Sequence, residues 1–128
     1  MPIAFIWEEK FNVGDDEINR QHKYIFELAN KVQNATLYES GKYIMELFKY
    51  SGTHFKHEEQ QMKEVGFPGL YKHIELHDEL ITKLSEISLN FIKTEQEFTD
   101  FKNFIYNWIT QHILADDMKY FEFEKLKK

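Results

Sequence analysis

Histidine recurs at core-facing spacing in four separate stretches of this chain: His22, His54, the pair His73 and His77, and His112. A helix of 3.6 residues per turn brings each of them onto the same side as its apolar neighbours. His54 and Glu58 are four residues apart, as are His73 and His77, so each pair shares one helix face with Cβ atoms about 5–6 Å apart. Imidazoles and carboxylates are costly to bury unless they are paired or coordinated. A single buried histidine is ordinarily satisfied by a hydrogen bond. Five of them converging on one core call for a metal.

The stripes read in order give the expected elements. Residues 1–16, with Pro2, Gly14 and Asp15-Asp16, lack a sustained period and read as an extended arm, pinned by Trp7 and Phe11, that ends in a helix start. From about 18 to 37, Ile18, Ile25, Phe26, Leu28, Ala29 and Val32 form the first stripe, with His22 on it. After Ser40-Gly41 a long second helix carries Ile44, Leu47, Phe48, Ser51, His54, Phe55, Glu58, Met62 and Val65 as far as Gly66. Gly52 inside it implies a close backbone approach or a local bend, because glycine there is about 1 kcal/mol worse than alanine.

Gly66-Phe67-Pro68-Gly69 breaks the chain, and a third helix follows with Leu70, His73, Ile74, His77, Leu80, Ile81, Leu84 and Ile87 on one stripe. Thr94 and Glu97 fit a capping box at the start of a fourth helix, whose stripe is Phe98, Phe101, Ile105, Trp108 and His112 and which runs out near Asp116-Asp117. The tail from Met118 reads as a short terminal helix. Short connections force sequential helices together, so the expected fold is all-α: an antiparallel up-down-up-down four-helix bundle, with residues 1–128 as one domain.

Composition narrows the partners. The formal net charge is −6 and Lys and Arg are scattered, which leaves no basic stripe for nucleic acid. No apolar run approaches the length needed to span a bilayer, and the N-terminus lacks the pattern of a signal peptide, so a cytoplasmic location is expected. With cysteine count zero, any metal must be held by nitrogen and oxygen.

The candidate ligands are His22, His54, Glu58, His73, His77, His112 and a carboxylate near 117. Seven donors exceed the four of a structural zinc site and suit a dinuclear centre. Borderline nitrogen with hard oxygen suits iron, with manganese, copper or zinc as weaker alternatives. Asp117, five residues after His112, lies about 140° away around a regular helix and needs a helix end, a bulge or side-chain reach to join. Asp116 is the competitor that periodicity alone prefers.

Other metal folds fit less well. A ferritin-like carboxylate site needs Glu-x-x-His twice, which is not found here. His57-Glu58-Glu59-Gln60-Gln61 has glutamine where a zinc protease needs its second histidine. There is no Cys-x-x-Cys-His for haem attachment. His57, Glu59 and Glu75 are expected on solvated faces, and Met62 in the core.

Taken together, His22 in Asn-Arg-Gln-His-Lys, His54-Phe55-Lys56-His57-Glu58-Glu59 with Met62, Pro68 before His73-x-x-x-His77, and Trp108 before His112-Ile113-x-x-x-Asp117 resemble the hemerythrins, specifically the single-domain bacterial type. The resemblance covers nearly the whole chain. It implies that His73, His77 and His112 hold one iron and His22 and His54 the other, bridged by Glu58, Asp117 and an oxo or hydroxo group. It also selects Asp117 over Asp116.

The function so implied is reversible O2 binding for storage, transport or delivery at the iron with an open position, rather than an enzymatic one. The O2 pocket would be walled by Phe55, Trp108, Ile109 and Ile113. Two carboxylates and a hydroxide against two ferrous ions leave a core near about +1, and so few anions favour binding over oxidation. An O2 or redox sensor module, or a peroxidase or nitric-oxide scavenger, are the alternatives. The chain is expected to be a monomer or weak homo-oligomer. Asn19 stands where Asp is common in the family, and Ile109 where Leu is frequent.

Overall fold

Asp15 starts the first helix: extended itself, it accepts a hydrogen bond from the Ile18 amide at 3.1 Å and so satisfies one of the free N–H groups of the first turn. A computed structural model describes residues 5–90 and 92–127 of the chain. It contains helices α1 (Asp16–Asn34), α2 (Ser40–Val65), α3 (Leu70–Asn90), α4 (Glu95–Gln111) and α5 (Met118–Lys127), and no strand among the described residues. A π-helical turn, His112–Asp117, joins α4 to α5 without a break. The helices form the antiparallel bundle that the four stripes imply, with α2 packed against α1 and α3, and α4 against α1.

The ends of the elements follow local chemistry. α1 stops at Asn34, short of the expected 37, because Ala35 turns extended at ψ 155°; Leu37 still packs onto the core from the connection. α2 closes at Gly66, whose φ of 70° is left-handed and favours a residue without Cβ. The Gly66 amide donates to the Lys63 carbonyl and the Phe67 amide to that of Met62, the paired bonds of a Schellman turn. At α4 the Glu97 amide donates to Thr94 Oγ1 at 3.0 Å, as expected, but the Glu97 carboxylate reaches back to the Lys93 amide rather than to that of Thr94.

α2 runs unbroken through Gly52, and a Cβ built there would meet nothing within 4 Å. The expected close approach is therefore absent.

The arm is tied down as its aromatics predict. Phe11 meets Phe26 edge-on at 5.1 Å, and Trp7 lies 5.8 Å from the same ring. Asn30 receives the Phe5 amide at 2.6 Å and donates to the Phe5 carbonyl at 2.9 Å. A short 3-10 turn, Glu9–Phe11, interrupts the extended course. Asn19 has a structural task here: it accepts from the Val13 amide and donates to Asn12 Oδ1, holding the arm to α1.

Two apolar clusters result. The larger includes Ile25, Leu28, Ile44, Leu47, Leu80, Leu84, Phe98 and Ile105; the smaller contains Val13, Ile18, Met62, Tyr120 and Phe121. Along α1 the order is Ile18, His22, Ile25, and along α2 it is Leu47, His54, Glu58, Met62. A buried polar layer thus separates the two clusters.

Candidate metal centre

That layer is made by three helices of the bundle and the π turn that follows the fourth. α1 supplies His22, α2 His54 and Glu58, α3 His73 and His77, and the turn after α4 His112 and Asp117; every one is buried. The potential ligand atoms fall into two groups that share both carboxylates. Glu58, His73, His77, His112 and Asp117 form one, and His22, His54, Glu58 and Asp117 the other, with the atoms of each within 4.8 Å of one another.

The shared carboxylates divide their oxygens between the groups. Glu58 Oε1 is 3.2 Å from His73 Nε2 and 3.3 Å from His77 Nε2, while its Oε2 is 3.1 Å from His54 Nε2 and 3.6 Å from His22 Nε2. Asp117 Oδ1 is 2.9 Å from both His73 Nε2 and His112 Nε2, and its Oδ2 is 3.1 Å from His22 Nε2. Each carboxylate thus turns one oxygen toward each group.

His112–Asp117 reaches this arrangement through the π turn, in which hydrogen bonding spans five residues and brings positions i and i+5 onto one face. Asp116, the competitor by spacing, turns aside and accepts from His112 Nδ1 at 3.2 Å. Two other side chains act in the same way. His77 Nδ1 donates to Glu59 Oε2 at 2.7 Å, and His54 Nδ1 donates to Gln21 Oε1 at 2.6 Å. Glu59 was expected on a solvated face; half-buried instead, it points across to α3. With Nδ1 bound, these imidazoles present Nε2 to the centre.

Within the centre, most of the buried carboxylates and imidazoles stabilise one another's charged forms against burial. Burial opposes charge on His22, but Asp117 and Glu58 outweigh it and raise its pKa to about 9. Burial likewise opposes charge on His112, and Asp117 and Asp116 raise it to about 10. Burial keeps His54 below the usual imidazole range. Both carboxylates are held low despite complete burial, Glu58 by His54, His22 and His73, and Asp117, against burial and the Glu58 charge, by His112 and His22.

Protons alone do not satisfy the layer. His22 Nε2, Glu58 Oε2 and Asp117 Oδ2 are buried without a directed hydrogen bond, although they lie close together. His77 Nε2 and His112 Nε2 face each other at 3.0 Å. Lone pairs that converge on a common point rather than on one another fit bound metal ions, and nitrogen with carboxylate oxygen suits iron.

Aromatic rings fix the imidazoles from outside. Phe55 stacks on His77 at 3.9 Å, and Trp108 lies over His112 at 4.4 Å. Phe55, Trp108, Ile109 and Ile113 line one cavity with His22, His54, His112 and Asp117. It leaves about 10 Å³ for the centre of a water-sized molecule, enough for one. Among the remaining sequence expectations, His57 and Glu75 are exposed and Met62 is buried.

An antiparallel helical bundle with a buried layer of histidines, divided in two by shared carboxylates, defines a class of metal-binding protein. The family model of the hemerythrin HHE cation binding domain matches residues 13–123. A bacteriohemerythrin of Clostridium acetobutylicum is 31% identical over 128 residues, covering 92% of this chain and 99% of the relative. A hemerythrin-like protein of Naegleria gruberi is 32% identical over 120 residues, 94% of this chain and 93% of its own. The crystal structure of a wild-type hemerythrin superposes with a TM-score of 0.81 at 27% identity, over 92% of this chain and 95% of that one. The chain belongs to the hemerythrin family. Among its described residues no helix is long and apolar enough to cross a membrane.

Proposed function

We propose that this chain, as one domain over 1–128, is a non-haem di-iron protein that binds O2 reversibly for storage, transport or delivery. In this reading His73, His77 and His112 hold one iron, His22 and His54 the other, and Glu58 and Asp117 bridge them with an oxo or hydroxo group. The observation that carries it is the division of one buried donor set into a three-histidine and a two-histidine group sharing both carboxylates. The poorer group leaves an open position, beside a cavity that its own His22 and His54 help to line.

The iron pair would supply the electrons and the open coordination position for O2. The protein's part is to hold and to exclude. Gln21, Glu59 and Asp116 fix three imidazole tautomers so that Nε2 faces inward. Phe55, Trp108, Ile109 and Ile113 keep the cavity apolar and small, which restricts access by water and larger reductants. Binding without turnover follows from that exclusion, and the chain is read as a carrier rather than an enzyme, cytoplasmic, and monomeric or weakly associated.

The test is metal analysis with an optical spectrum. Two irons per chain, and a visible absorption band that appears when anaerobically reduced protein meets O2 and disappears on removal of the gas, are expected. A single zinc, or a band that cannot be reversed, overturns the reading.

A further inference from the structure

Ser51 is 1% exposed, and its Oγ has no hydrogen-bond partner. Other hydroxyls in helices of this chain behave differently: Thr53 Oγ1 donates to the Lys49 carbonyl at 3.3 Å and Thr110 Oγ1 to that of Tyr106 at 2.7 Å. Donation to the carbonyl of the preceding turn is the ordinary outlet for a helical hydroxyl. Ser51 does not use it. A buried hydroxyl without a partner is a destabilising feature, on a stripe where Leu47 and Phe55 are apolar.

Its position explains the exception. Ser51 lies one turn before His54 and Phe55 and lines the same cavity, together with Ile25, Trp108 and Ile109. It contributes the one hydroxyl among the lining residues. The remaining hydrogen-bonding groups of that wall are the proposed iron ligands and the Trp108 ring.

We propose that Ser51 Oγ is the hydrogen-bond donor to the outer atom of a small ligand in this cavity. The ligand class is O2 itself or a two- or three-atom anion with an acceptor at its far end. The inference rests on the di-iron reading above and adds a specificity-determining residue to it. A ligand ending in an acceptor gains a partner in an otherwise apolar wall, whereas a monatomic ligand at the metal gains none.

The experiment uses the iron-loaded, oxidised protein with azide as probe, comparing the original chain with Ser51→Ala. One hydrogen bond to a bound anion corresponds to a loss of azide affinity of about ten- to a hundredfold. The infrared stretch of bound azide should shift on substitution and lose its sensitivity to deuterated solvent, while chloride binding and iron content hold and the thermal midpoint stays the same or rises. Equal azide affinity with an unchanged stretch overturns the role of Ser51 and leaves the di-iron reading intact. So does a fall in iron content or midpoint, which would make the hydroxyl structural. An original chain that holds two irons yet binds neither azide nor O2 overturns the O2-binding reading, and this inference with it.

Discussion

Asp117 Oδ1 lies 2.9 Å from His112 Nε2 although five residues separate them, a distance that a regular α-helix would place on different faces. The π turn converts adjacent aspartates into different tools: Asp117 enters the centre, and Asp116 holds the back of His112. Asp117→Asn should remove a bridge from both groups, and iron content after desalting should fall to less than about half. Asp116→Asn should keep both irons but weaken metal affinity by about 10- to 100-fold. Parallel metal analysis and chelator titration of the two variants check this.

Removing the metal should destabilise the fold, because Glu58 and Asp117 are fully buried with oxygens that no directed hydrogen bond satisfies. A tightly bound ion that the unfolded chain does not hold adds about 4 kcal/mol at a thousandfold excess over Kd. For a chain of this size that amounts to about 10–20 °C in midpoint. Calorimetry with and without a chelator tests it. Because imidazole must be deprotonated to bind metal, chelator extraction should also proceed more readily as the pH is lowered.

Glu59→Gln keeps the shape of the contact with His77 Nδ1 while removing its charge. The metal position served by His73, His77 and His112 should lose affinity by about tenfold, with the other position less affected. Staged release of iron to a chelator should then show two phases in the variant.

Gly52→Ala should stabilise the protein by about 1 kcal/mol, because α2 is continuous there and a Cβ has open space. Urea unfolding of the iron-loaded pair measures it; a loss of stability would mean that the helix needs the glycine.

Ile109→Ala should enlarge the cavity between Trp108 and Ile113 and cost about 2–4 kcal/mol in stability. Ligand release from the iron should accelerate, as read by stopped-flow displacement of azide.

The four helices were legible because apolar residues at three- and four-residue spacing need one buried face each, and the structure buries those stripes, Ile18 to Val32 and Phe98 to Ile105 among them. Five of the six histidines stood out because each lay on such a stripe. What the pattern could not show was anything that depends on a departure from regular helix or on the register between helices. Asp117 needed a turn of different pitch. Glu59, about 100° around the helix from Glu58, looks solvated until α3 brings His77 against it. Gln21 is hidden for the same reason, adjacent to His22 and meaningful only once His54 arrives from α2. Ser51 left one trace, a polar residue on an apolar stripe, but its lack of a partner is visible only in three dimensions.

The spread of the ligands over α1, α2, α3 and the turn after α4 also bears on when the site comes into being. A chain emerging from synthesis as far as the end of α3 has His22, His54, Glu58, His73 and His77 but neither His112 nor Asp117, so it lacks a bridge for both positions. No helical hairpin cut from the bundle contains a complete ligand group. On the di-iron reading, tight uptake of metal should therefore wait until α4 has docked, so that iron finds no complete site on an incompletely folded chain.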